Sequence, residues 1–167
     1  MPYSKTIMKH FMSPKNIGKI KKPDGIGRVG NIICGDVMEV YIKIKKDKKG
    51  IEKISNIKFQ TFGCVTAIAL SSMLTEMAKG KAVKEAMKIT NKSLLKKAGK
   101  VPTIKMHCSV LAADALQESI YDYLSKNKRE IPKFLKKQHE RIQKDLETLE
   151  HEHPELIGAE KKLLKKK

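Results

Sequence analysis

The chain carries three cysteines, Cys34, Cys64 and Cys108, and each falls beside a change of secondary structure that the sequence predicts. Cys34 comes just before a strand, Cys64 just after one and before a helix, and Cys108 just before another helix. A thiol at a helix N-terminus lies near unsatisfied backbone N–H groups and the positive end of the dipole, which lowers its pKa and favours the thiolate. His107 places an imidazole beside Cys108, and Asp36 places a carboxylate two residues after Cys34. In a strand, residues i and i+2 point to the same side, so Cys34 and Asp36 could face one point. Three thiolates with one nitrogen or oxygen donor make a soft, nearly tetrahedral set suited to zinc or iron–sulfur.

Spacing alone leaves other chemistry open. The cysteines are too far apart for a compact CxxC-type metal motif, and an isolated cysteine often serves as a small buried hydrophobe. A cysteine enzyme using Cys108 with His107 as base is a further reading. Adjacent residues on a loop rarely form the nucleophile–base hydrogen bond, and no third orienting group is evident. In a reducing cytosol, an odd number of widely separated cysteines argues for metal binding or catalysis over a disulfide framework.

The elements that must position these residues are legible from periodicity. Residues 3–12 have helical apolar spacing, closed before Pro14 because the residue preceding a proline is pushed out of the helical region. Residues 14–31, rich in Gly, Pro and Asn, read as an ordered loop. Met38, Val40, Ile42 and Ile44 alternate with polar neighbours as one strand, and the run from Ile51 through Thr61 forms a second. A Gly-containing turn joins them as an antiparallel hairpin, and Ile32-Ile33 are candidates for a third strand. The period changes to helical from Val65 until Lys79-Gly80-Lys81. Two short helices are expected near 82–88 and 92–98, and an amphipathic one over Ser109–Leu124. Beyond Pro132, a charged helix with a narrow stripe of Leu135, Ile142, Leu146 and Leu149 is expected to bury little surface.

The chain has 36 basic and 18 acidic residues, a net charge of +18 spread along its length. A spread lysine excess reads as a solvated surface suited to acidic partners, and without aromatic interleaving it excludes nucleic acid as the expected partner. No stretch approaches the ~18 apolar residues of a membrane span and the N-terminus has no apolar leader, so the expectation is a soluble, cytoplasmic protein with no membrane partner. His151-Glu152-His153, at the end of a charged helix, reads as a solvated face.

Three stretches in order resemble one family. Cys34-Gly35-Asp36 precedes a strand. Thr61-Phe62-Gly63-Cys64 precedes a Ser-containing helix ending Lys79-Gly80-Lys81. Lys105-Met106-His107-Cys108-Ser109 runs into Leu111-Ala112 and Asp114-Ala115. Together with Tyr3-Ser4 and Pro14-Lys15-Asn16-Ile17-Gly18, these resemble the iron–sulfur cluster assembly scaffold proteins of the IscU / NifU N-terminal type, over about residues 1–125. Two local departures are Val65-Thr66 where the family often has Gly-Ser, and Val101-Pro102-Thr103-Ile104-Lys105 where many members have Leu-Pro-Pro-Val-Lys.

The resemblance implies an α+β fold: a small antiparallel three-stranded sheet with helices packed on one face. The scaffold domain is expected at 1–126, and 127–167, outside the resemblance, are expected as a charged helical C-terminal extension. The function the resemblance implies is not enzymatic. A cluster, [2Fe-2S] in type, is built from iron and desulfurase-derived sulfur and passed to apo-proteins. The implied ligands are Cys34, Cys64 and Cys108, with His107 or Asp36 as fourth donor, and Asp36 is implied to keep the cargo transferable. Cys108, beside Lys105 and His107, is the candidate sulfur acceptor. The implied partners are a cysteine desulfurase and apo iron–sulfur acceptors, with an iron donor and an Hsp70-type chaperone as further candidates; a homo-oligomer is compatible. The alternative reading of the same ligands is a zinc-binding structural or regulatory protein.

Overall fold

The computed structural model describes residues 3–31 and 34–155. Ten elements follow in order: α1 (Lys5–Met12), β1 (Gly25–Gly30), β2 (Val37–Lys46), β3 (Glu52–Phe62), α2 (Val65–Ala78), α3 (Val83–Ala86), α4 (Asn91–Ala98), a 3-10 turn (Thr103–Lys105), α5 (His107–Lys126) and α6 (Lys133–Glu152). The strands form one antiparallel sheet in the order β1-β2-β3.

Alternation decides which face of the sheet is covered. Val40 pairs with Gly27 on one side and Phe59 on the other, and Ile42 pairs with Gly25 and Ile57. Met38, Val40, Ile42, Ile57 and Phe59 are buried together with apolar side chains of α2 and α5, including Leu70, Leu74, Leu116 and Ile120. The hairpin turn is built by Asp47, whose Oδ1 accepts from the N–H groups of Lys49 and Ile51. α1 begins at the Ser4 cap, where Ser4 Oγ accepts from Ile7 N at 3.1 Å, and it ends at Ser13, before Pro14.

One strand of the sheet forms where the sequence was read as loop. It runs over Gly25–Gly30, while Ile32-Ile33 lie outside the described residues. Glycine is a poor strand former by itself, so GIGRVG reads as a turn. Here the glycines are needed for close approach: a Cβ at Gly27 would stand 2.0 Å from the Ala115 carbonyl oxygen of α5, and one at Gly25 2.2 Å from that of Ser119. The α5 backbone thus lies directly on β1.

α6 also departs from expectation, because it is docked. Leu135, Ile142 and Leu149 are buried. Arg141 donates to Asp114 at 2.7 Å, Gln143 to Glu118 at 3.3 Å, and His139 stacks on Tyr121 with ring centroids 3.9 Å apart. A narrow apolar stripe looked insufficient from sequence because its polar neighbours were assumed to face water. Several of them pair with carboxylates that α5 presents at the seam.

Candidate metal centre

Three separate chain segments deliver the predicted ligands to one end of the molecule. The first is the loop from β1 to β2. Asn31 closes its neck: the Asn31 N–H donates to the Asp36 carbonyl at 2.9 Å, and Asn31 accepts from Gly35 N at 2.9 Å and, through Oδ1, from Cys34 N at 3.1 Å. Gly35 sits at φ +70°, a left-handed conformation that glycine adopts without a Cβ penalty, so the loop can fold back and present Cys34 and Asp36 together. The second segment is the junction of β3 and α2, where Cys64 is the N-cap residue with an extended backbone and no side-chain capping bond. The third is the start of α5. The sequence placed that start at Ser109, but it begins at His107, continuing from the 3-10 turn, so His107 and Cys108 belong to its first turn.

The arrangement is two overlapping triads. One ligand atom each from Cys34, Asp36 and His107 lie within 4.8 Å of one another, and the same holds for Asp36, Cys64 and Cys108. Asp36 is common to both. Cys64 Sγ and Cys108 Sγ are 3.7 Å apart, far beyond a disulfide bond. A tetrahedral ion holding thiolates at about 2.3 Å separates two of them by about 3.8 Å, so the observed spacing suits a shared ion. His107 Nε2 is buried with no hydrogen-bond partner among the described residues, which is the condition of a donor atom awaiting a ligand. These observations fit a soft metal cargo.

The electrostatics correct one expectation. The helix N-terminus was expected to lower the Cys108 pKa. Instead burial, followed by the neighbouring Cys64 and Asp36, pushes it up, and Cys108 is fully buried. Burial also raises the Cys34 thiol to about 11, with the Asp36 carboxylate adding to the rise against an opposing backbone hydrogen bond at Asp36. Desolvation outweighs the dipole because removing a thiolate from water costs more than a partial charge at a helix end returns. Cys34 and Cys64 are half-buried. The Lys105 pKa is raised, by Cys64 foremost and then by Cys108, Asp36 and Cys34, so its ammonium stands near the site.

Sequence reasoning did not single out Asn31, the loop neck; its only signal is an Asn three residues before a cysteine in a turn-rich stretch. The His107–Cys108 pair makes no hydrogen bond to each other among the described residues, and Cys108 Sγ instead has Cys64 and Asp36 as neighbours. His153 pairs with Glu155 at 3.2 Å at the exposed end of α6, away from either triad. Phe62, Ile104 and Met106, each within a few residues of a ligand, are exposed apolar side chains. Among the described residues, no helix is long and apolar enough to cross a membrane.

A small sheet backed by helices, with thiols from a loop and two helix starts gathered together, is the architecture of a metal-cargo scaffold. The chain belongs to the family described as NifU-like N terminal domain, which matches residues 2–130. It is 54% identical over 125 residues to an iron–sulfur cluster assembly scaffold protein, IscU 1, of Archaeoglobus fulgidus, covering 75% of this chain and 78% of that one. It is 41% identical over 127 residues to the IscU scaffold protein of Aquifex aeolicus, covering 76% and 79%. In fold it is similar to the crystal structure of a nitrogen-fixing NifU-like protein (N-terminal) from Brucella abortus, with a TM-score of 0.57, 20% identity, and coverage of 75% and 96%. α6 lies beyond the matched residues.

Proposed function

We propose that this protein is a scaffold, not an enzyme, on which an iron–sulfur cluster is assembled from iron and desulfurase-derived sulfur and from which the cluster passes to apo-proteins. The observation that carries this reading is the convergence of Cys34, Asp36, Cys64, His107 and Cys108 in two triads sharing Asp36. The names of the relatives support it. The three thiolates are the primary ligands of a cargo of [2Fe-2S] type, and Asp36 or His107 supplies the fourth donor. Residues 1–126 form the scaffold domain, and 127–167 are an appendage whose helix docks on it.

Each feature of the site suits transient holding. Half-buried Cys34 and Cys64 leave the cargo accessible to a partner. Asp36 is a harder donor than thiolate and a weaker match to iron–sulfur, so it yields to a competing thiolate of an acceptor. The desulfurase contributes sulfur as a persulfide. Its terminal sulfur bonds to an accepting thiolate of this chain as the original S–S bond breaks, and the desulfurase cysteine leaves as thiolate, with no net oxidation. Cys34 and Cys64 are reachable as the structure stands, whereas acceptance at Cys108 requires the start of α5 to lift. Phe62, Ile104 and Met106, exposed apolar side chains close in sequence to the site, suit the docking of a desulfurase, an acceptor or a chaperone.

Anaerobic reconstitution with iron and sulfide tests the proposal. A scaffold turns brown and gives up its chromophore to an apo-ferredoxin. A protein that stays colourless and retains zinc instead would overturn it.

A further inference from the structure

α6 runs antiparallel to α5, back toward the cysteines. His139 bonds to Glu118, Arg141 donates to Asp114 one turn nearer the α5 start, and Asp145 lines a concavity of about 300 Å³ shared with His107 and Asn31. A further turn brings Leu146 and Leu149 onto the sheet. A Cβ built at Gly30 would stand 3.2 Å from the Cδ2 of each, so both leucines rest on the bare Gly30 backbone. Leu149 is fully buried, and among the described residues it is the buried apolar partner of Val37.

Gly30 and Val37 pair across β1 and β2, and they are the residues that immediately flank the loop 31–36. Asn31 ties that loop shut just above them. The leucines therefore press on the base of the one segment that carries both Cys34 and Asp36. Cys64 and Cys108 are held differently, by the starts of α2 and α5.

We propose that α6 is a clamp on the neck of the Cys34–Asp36 loop, and that Leu146 and Leu149 are positioning residues for Cys34. Packing at Gly30 and Val37 keeps the neck closed, and the closed neck holds Cys34 within reach of Asp36 and His107. The inference deepens the scaffold reading by giving the appended helix a role at that site. It also makes a claim about the metal-free chain that stands or falls separately.

The test is the alkylation rate of each cysteine in the metal-free, full-length protein, followed residue by residue by mass spectrometry at one pH. Leu149→Ala should raise the rate at Cys34 by about tenfold through local opening, with Cys64 and Cys108 changed less than about twofold. Gly30→Ala, which pushes a methyl between the two leucines, should shift the same residue in the same direction. A merely structural role for Leu149 would loosen the whole fold and raise all three rates together, which would overturn the proposal. So would an unchanged Cys34 rate in both variants. Should Leu149→Ala not yield folded protein, Gly30→Ala and Leu146→Ala decide the matter by the same readout. A chain that cannot hold a cluster but shows the selective Cys34 response would refute the scaffold function while leaving the clamp intact.

Discussion

Asp36 Oδ2 lies 4.0 Å from Cys108 Sγ, although the two residues are 72 positions apart in the chain. Asp36 is nearly buried, and the loop before Cys64 also packs on it: a Cβ at Gly63 would stand 3.2 Å from its carboxyl carbon. One carboxylate is thus placed where it meets ligands from all three segments. On the proposed function, that position makes it the group best able to set how firmly the site grips its cargo.

Replacing Asp36 with Ala should leave three thiolates and His107 to assemble a cluster. That cluster should persist longer and pass to an apo-ferredoxin more slowly than in the parent protein, because the hard, displaceable donor is gone. The transfer rate and melting temperature are measured on the same variant. An unchanged transfer rate would remove the labilising role.

Ser replacements at Cys34, Cys64 and Cys108 should each abolish a stable visible chromophore after anaerobic reconstitution, since only two thiolates would then remain for a cluster that is held chiefly by cysteine thiolates. Their stabilities should differ. Cys34 and Cys64 are half-buried, so Ser there should cost little. Cys108 is fully buried, and a hydroxyl in its place should cost about 1–3 kcal/mol in denaturant unfolding. A Cys64→Ser protein that reconstitutes normally would remove that residue from the ligand set.

Metal binding should release protons. Burial raises both the Cys34 and Cys108 thiols, Cys34 to about 11, so both are protonated in the metal-free protein at neutral pH. Each must lose its proton to become a ligand. The affinity for Co(II) or Zn(II) should therefore rise with pH, by about a hundredfold per unit if two protons are displaced. The metal-free fold shows the opposite linkage. A thiol with a raised folded pKa contributes stability below its unfolded value of 9.0 and loses it as pH rises toward about 11. Titrations in weak buffer count the protons, and a pH-independent affinity would contradict the burial argument.

His10 should make the docking of α1 sensitive to acid. Its Nδ1 lies 2.8 Å from Ser72 Oγ, which also accepts from Lys15 N at 2.8 Å, so the serine proton is directed at a neutral imidazole. Burial lowers the His10 pKa below 6.5; Glu76 opposes the shift, while Lys9, Lys97 and Lys15 reinforce it. The unfolded chain then takes up this proton at a higher pH than the folded one. The contribution of His10 is fully present above 6.5 and is lost as pH falls from there through the lowered folded value. Melting temperatures from pH 7.5 to 5 should fall more steeply for the parent than for His10→Gln. Parallel curves would show that other groups drive the acid sensitivity.

The sequence by itself determined the chemistry and most of the local structure. Residue types fixed a soft donor set, and the two periods fixed the hairpin of β2 and β3 and the helices α2 and α5, because side-chain direction follows from backbone geometry over a few residues. The motifs at Cys34, Cys64 and Cys108 carried the family. Tertiary structure decided what depends on distant neighbours. β1 was unreadable because its glycines serve a contact with Ala115 and Ser119 that no local pattern records. The Cys108 thiol was expected to be acidified by its helix, but the packed α5 start removes it from water, and desolvation dominates. α6 looked like an appendage because a narrow stripe gains little by itself. Its anchorage comes from Asp114, Glu118, Gly30 and Val37, residues whose availability is known only once the sheet and α5 have formed. Local interactions are written in neighbouring residues, whereas burial and close approach exist only after the chain has folded onto itself.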